Sequence, residues 1–110
     1  MKTLKLQLDF LAGPLWKDVW DVDKNTVTTG IPAVDGDERL AELDAEIQAL
    51  FSSYYEFDSH DQACWFDEDR QKADKDKMLA LLANLNQRLA EINDGSFVVD
   101  DELTAYYSAL

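Results

Sequence analysis

Residues Ser52 to Asp67 read Ser-Ser-Tyr-Tyr-Glu-Phe-Asp-Ser-His-Asp-Gln-Ala-Cys-Trp-Phe-Asp, and what this stretch is decides how the chain on either side is arranged. It holds five of the twelve aromatic residues, the single His, the single Cys and four carboxylates. A connection between helices is usually short and polar, so this one is expected to do more than connect. It lies between the two longest helical patterns in the sequence.

Upstream, Leu40, Leu43, Ile47, Leu50 and Tyr54 recur at spacings of three and four, an apolar stripe along one helix face that Phe51 widens. Asp37 suits the N-cap and Glu38 the first turn, where the helix dipole favours negative charge. This helix is expected to run to Glu56, roughly 30 Å at 1.5 Å per residue, with Glu42, Asp44, Glu46 and Gln48 facing away. Downstream, Asp67 is the expected cap of one long helix. Its charged row is Glu68, Lys72 and Asp76, and its seam is Met78, Leu82, Leu85, Leu89 and Ile92 with Leu81 beside it. Gly95 is expected at its C′ position. Two such seams joined by a short connection should pack antiparallel.

Outside the helical pair the period changes. Leu4, Leu6, Leu8 and Phe10 alternate with Lys5, Gln7 and Asp9, which predicts a half-buried strand ended by Gly13 and Pro14. Lys17–Val22 and Thr26–Thr29, around Asp23-Lys24-Asn25, predict a hairpin; a short helix over Leu15–Trp20 is the competing reading. Gly30 and Pro32 break the chain before a turn at Asp35-Gly36-Asp37. Ser96–Asp100 predicts a returning strand, and Asp100 or Asp101 a cap for a last helical turn through Leu103, Tyr106, Tyr107 and Leu110. The expected architecture is one α+β domain over residues 1–110: a small antiparallel sheet packed against an antiparallel two-helix hairpin.

Composition narrows the functional classes. Ten basic against twenty-three acidic residues give a net charge of −13, while 46% apolar residues argue for a folded domain rather than an acidic tail. Direct binding to nucleic acid needs clustered Lys and Arg and is not expected; a basic protein partner is. A lone Cys64 suits a reducing cytoplasm. Lys2 and Lys5 open the chain as a signal peptide would, but Gln7 and Asp9 interrupt its apolar run. No stretch reaches the ~20 apolar residues of a membrane span. The expected location is cytoplasmic.

No metal, cofactor or catalytic residue is assigned. Asp58, His60, Asp61 and Cys64 lack the ligand number and spacing of a zinc or calcium site. His60 and Cys64 make a thiolate–imidazolium pair only if a helix runs through them, and they lack a third, orienting group. The expected site is instead a partner-binding surface: Tyr54, Tyr55, Glu56, Asp58, His60 and Asp61, extended by Glu42 and Glu46. Adjacent positions on a helix point about 100° apart. With Tyr54 on the seam, Tyr55 is therefore left facing outward, and Tyr is an economical interface anchor. Phe57, Trp65 and Phe66 are expected to plug the core at the hairpin's end.

Tyr54-Tyr55 beside this carboxylate cluster resembles the surface of small acidic bacterial immunity proteins. In those of the colicin nucleases a Tyr pair and flanking acids bind a basic nuclease domain. The likeness covers roughly fifteen residues of surface, not the fold: the colicin immunity proteins are four-helix bundles, and the Leu4–Phe10 alternation speaks for a sheet. Immunity proteins of contact-dependent and polymorphic toxin systems include α+β folds and are the nearer comparison. The resemblance implies a non-enzymatic protein that occludes a cognate basic toxin domain. Alternatives are an acidic DNA mimic that inhibits a DNA-binding enzyme, a small metal- or thiol-dependent enzyme using His60 and Cys64, and an adaptor that forms a homodimer through its helix seams.

Overall fold

The computed structural model describes residues 2–9, 12–59 and 62–110, with the backbone alone at 57–59 and 62–64. Among these residues eleven elements follow one another: β1 (Lys2–Leu6), β2 (Val19–Asp21), β3 (Thr26–Thr28), α1 (Pro32–Asp35), α2 (Glu38–Ser52), β4 (Tyr55–Ser59), β5 (Gln62–Phe66), α3 (Glu68–Ala73), α4 (Lys75–Ile92), β6 (Phe97–Asp101) and α5 (Leu103–Ser108). The class is α+β, with the strands in three separate pairs: β1–β6, β2–β3 and β4–β5.

In β1 the alternation buries Leu4 and Leu6 and exposes Lys5. The strand stops at Leu6 rather than Phe10 because the chain turns back on itself. Gln7 N–H donates to the Pro14 carbonyl at 3.0 Å and Trp16 N–H to the Lys5 carbonyl at 3.1 Å. Phe10 lies outside the described residues. On its other flank β1 meets β6 in parallel, from Lys2 opposite Phe97 to Leu6 opposite Asp101. The antiparallel sheet expected from sequence is thus corrected. Period-two alternation reports a wet and a dry face but not a partner's direction, and the helices between the strands supply the crossover a parallel pair requires.

The β2–β3 hairpin forms where the sequence placed it, with Trp20 opposite Val27, which sets aside the helix over Leu15–Trp20. Asp21 Oδ1 accepts from the N–H groups of Asp23 and Lys24 at 2.9 and 3.1 Å, and Asn25 takes the left-handed conformation (φ 53°). Asn tolerates that region because its short side chain bonds locally. The break at Gly30 and Pro32 contains a helical turn, α1, with Pro in the first turn where its missing N–H costs nothing. Thr29 fastens it, donating from both N–H and hydroxyl to Asp35 Oδ1 at 3.0 and 2.8 Å.

Helix α2 starts at the expected cap: Asp37 Oδ1 accepts from Arg39 N–H at 3.0 Å. It ends at Ser52, four residues short of Glu56. Ser53 turns its hydroxyl back to the Leu50 carbonyl at 2.6 Å, a local bond that competes with helix continuation. Tyr55 then opens β4, paired antiparallel with β5 from Tyr55 opposite Phe66 to Ser59 opposite Gln62. The expected long helix after Asp67 is two helices meeting at Asp74, whose carboxylate accepts the Tyr54 hydroxyl at 3.1 Å. Helix α4 ends at Ile92, and Gly95 (φ 90°) stands one residue beyond C′, in the turn to β6.

One buried cluster joins Leu4 and Leu6 of β1, Leu40, Leu43 and Ile47 of α2, Met78, Leu82, Leu85 and Leu89 of α4, Phe97 of β6 and Tyr107 of α5. Each fully buried Leu contributes about 1.5–3 kcal/mol, so the two helical seams are the main source of cohesion. Among the described residues no helix is long and apolar enough to cross a membrane.

Candidate functional site

Tyr54 and Tyr55 part company where α2 ends. The chain turns at Ser53, and Tyr54 N–H donates to the Phe51 carbonyl at 3.1 Å, which sends the ring inward until it is fully buried. Its ring meets Phe51 and Phe66 edge-on at 6.5 and 6.0 Å, and the Arg70 guanidinium lies 5.6 Å from its centroid. Burial, and then the Asp74 carboxylate beside the hydroxyl, push the phenol above its ordinary value. Tyr54 is therefore a neutral hydrogen-bond donor inside the protein. The expectation that it contacts a partner is corrected: a side chain with no exposed surface has none to offer.

Tyr55 is half-buried. Its ring stands edge-on to Phe66 at 4.9 Å and to Phe51 at 5.7 Å, an aromatic stack worth about 0.5–1.5 kcal/mol per pair beyond the area buried. It forms one wall of a cleft of about 290 Å³, whose other walls come from Leu8, Phe51, Phe66, Leu103, Tyr106 and Tyr107. Gln71 lines it too, buried and held by donating from Nε2 to the Tyr107 hydroxyl at 2.9 Å. Tyr106, 51% exposed, stands edge-on to Tyr107 at 5.3 Å. The cleft is thus an aromatic trough lined by an amide and three phenols.

The carboxylates expected around Tyr55 fare differently. Glu56 follows it in β4 and pairs with Trp65, so strand alternation turns it to the opposite face. Asp58 has its backbone in β4 and its side chain outside the described residues; His60 and Asp61 lie outside them altogether. Cys64 is in a strand, opposite Phe57, and not in a helix. Trp65 and Phe66 are half-buried rather than core plugs, and the Phe57 side chain is not among those described. Among the described residues no group of three or more His, Cys, Asp or Glu could hold a metal ion.

The acidic face of α2 is interrupted. Glu42 pairs with Arg39 at 3.2 Å, both well exposed, a contact worth about 0–1 kcal/mol. Glu46 is exposed and borders a groove with Leu50, Lys77 and Leu81. Asp44, expected outside, is buried. Its Oδ1 accepts the Leu15 N–H at 3.0 Å, and Lys17 Nζ stands 3.5 Å from Oδ2.

Two surface features went unnoticed in the sequence. Tyr106-Tyr107 is a second adjacent pair, and the rule that neighbours on a helix diverge would have placed one outside; it applies to this pair in α5 and not to Tyr54-Tyr55. The second feature is the β2–β3 hairpin, where Trp20, Val22 and Val27 are exposed. No family model, curated protein or solved structure matches the chain.

Proposed function

We propose that the protein is a non-catalytic inhibitor that binds a basic protein domain, a toxin nuclease by the resemblance to immunity proteins, and covers its substrate surface. The observation that carries this reading is the open aromatic cleft walled by Tyr55 and Tyr106 in a chain of net charge −13. The charge draws a cationic partner in and raises the encounter rate; the cleft receives an anchoring side chain. Glu56, Glu42 and Glu46 extend the negative field, and the small sheet laid against the α2–α4 pair forms a rigid backing. The inhibitor acts in the cytoplasm of the cell that makes the toxin.

Calorimetric titration against a basic toxin nuclease domain, sought first in the adjacent reading frame, tests it. Binding is expected to weaken steeply with added salt, since the charges are screened. Truncating a hot-spot aromatic costs about 2 kcal/mol, so Tyr55→Ala with Tyr106→Ala is expected to weaken binding by well over tenfold. Binding that ignored both the salt and the double substitution would remove the cleft from the interface and the charge from the mechanism.

A further inference from the structure

The β2–β3 ribbon shows an apolar face to water. Its two faces are unlike. On the inner one Val19 is half-buried and Thr28 buried, with the Thr28 hydroxyl donating to the Val19 carbonyl at 3.1 Å. On the outer one the cross-strand pair Trp20 and Val27 is 58% and 42% exposed, and Val22 at the turn is 81% exposed. Isolated exposed apolar residues are ordinary, but an indole beside two valines on a short ribbon is a contiguous patch, and such patches mark contact surfaces. Val27 also walls a cleft of about 320 Å³ with Leu15 and Trp16, so the patch continues into a recess. None of these residues lines the cleft at Tyr55.

We propose that this face docks a short cationic segment of a protein partner, with a Lys or Arg over the Trp20 indole and its aliphatic stem along Val27. Charge decides the occupant. Asp18 and Asp23, both exposed, flank Trp20 and Val22 along the chain, while Asp21, on the inner face with Val19, ties the turn by accepting two of its N–H groups on Oδ1. Of the two lysines beside the ribbon, Lys17 stands 3.5 Å from the buried Asp44, and Lys24, exposed in the turn, offsets only one of the two outward aspartates. A second copy of this chain would set Asp18 and Asp23 against their own equivalents, on molecules already at −13, and like charges across an interface oppose association. A cationic segment meets the same carboxylates favourably and adds a cation–π contact, for which Trp is the best ring.

The test uses the full chain and a ten-residue synthetic peptide of alternating Arg and Val, followed by tryptophan emission, with an alternating Glu and Val peptide as control. The basic peptide is expected to shift the emission and bind saturably, more weakly as salt is raised, and the acidic one to leave the emission unchanged. Trp20→Ser should reduce affinity for the basic peptide at least tenfold, and Asp18→Lys with Asp23→Lys should do the same without touching an apolar residue; circular dichroism confirms that each variant folds. The loss caused by Trp20→Ser should be the same in a Tyr55→Ala background, which separates the ribbon from the cleft. Equal binding of both peptides, or wild-type affinity in Trp20→Ser, overturns the proposal. So does a dimer in light scattering that Trp20→Ser dissociates, because the face would then belong to a second copy.

Discussion

Asp44 shows how a residue's type and its position can point in opposite directions. Its position is inward: it stands four residues after Leu40 and three before Ile47, both buried. Its type argued for solvent, and sequence reasoning followed the type. Position prevailed because the loop after β1 supplies a donor, the Leu15 N–H, and a cation, Lys17, and a buried carboxylate is tolerable once it is paired and hydrogen-bonded. Nothing in the pattern of residues 12–17 announces that service, so it was not legible. Gly13 makes room for it. A Cβ there would stand 2.4 Å from Asp44 Oδ1, and the carboxylate cannot retreat without losing its bond to Leu15. Gly13→Ala is therefore expected to destabilise the fold by about 1–3 kcal/mol, the usual cost of overpacking, read as a lower midpoint in urea unfolding. Gly95→Ala, at a position with no atom nearby, carries only the backbone penalty of its positive φ.

At the scale of elements, what could be read was whatever periodicity alone determines. The two helical seams, the first strand and the β2–β3 hairpin all emerged from spacing and turn residues. Ser52–Asp67 did not, although Tyr55-Glu56-Phe57-Asp58 alternates as a strand should. The Leu50-to-Tyr54 spacing imitates one more helical turn, while Tyr54 in fact reaches the core around a bend. The division between α3 and α4 was hidden for a similar reason: Asp74 breaks no local rule, and its partner Tyr54 is twenty residues away. The α2–α4 pairing has its own polar tie. Asp37 caps α2 through Oδ1 while Oδ2 accepts from Arg88 Nε of α4 at 2.7 Å. Asp37→Ala removes both and is expected to cost about 1 kcal/mol for the cap alone, with a further loss of the tie to Arg88, which keeps Glu91 at 3.1 Å. Asp37→Asn keeps a good cap through its amide oxygen, but its NH2 group cannot accept from Arg88, so the bond to the guanidinium is lost with the charge. Chemical denaturation should rank wild type, Asn and Ala in that order; equal losses for Asn and Ala would mean that the cap contributes nothing.

For the whole molecule, the surface charge was legible and its distribution was not, since the sequence could not tell that Asp44 is inside and Glu42 paired. The excess itself has a thermodynamic signature in two parts of opposite sign. At pH 7 a net charge of −13 repels itself, and because the Debye length falls from about 30 Å at 0.01 M salt to about 3 Å at 1 M, added sodium chloride is expected to raise the melting temperature. Mild acidification should act in the same direction as ordinary carboxylates begin to take up protons. Further acidification reverses this. The hydrogen bond from Arg88 holds Asp37 below its ordinary 3.8. Burial pushes Asp101 upward, but hydrogen bonds from Thr104, Asn86 and the Leu103 N–H outweigh it, and Asp101 too is lowered. For such groups the unfolded chain binds protons first, so their stabilisation is complete above pH 3.8 and drains away as the pH falls through the lower folded values. The expected melting curve, measured by circular dichroism at low salt, therefore rises from pH 7 to a maximum near about pH 5 and falls steeply below about pH 4. At 0.5 M salt the rise should flatten while the acid limb stays, because a hydrogen-bonded pair held at contact is screened far less than charges spread over a surface. A melting temperature that fell monotonically from pH 7 and ignored salt would show that self-repulsion does not limit this fold, and so much negative charge would then need no cationic partner to account for it.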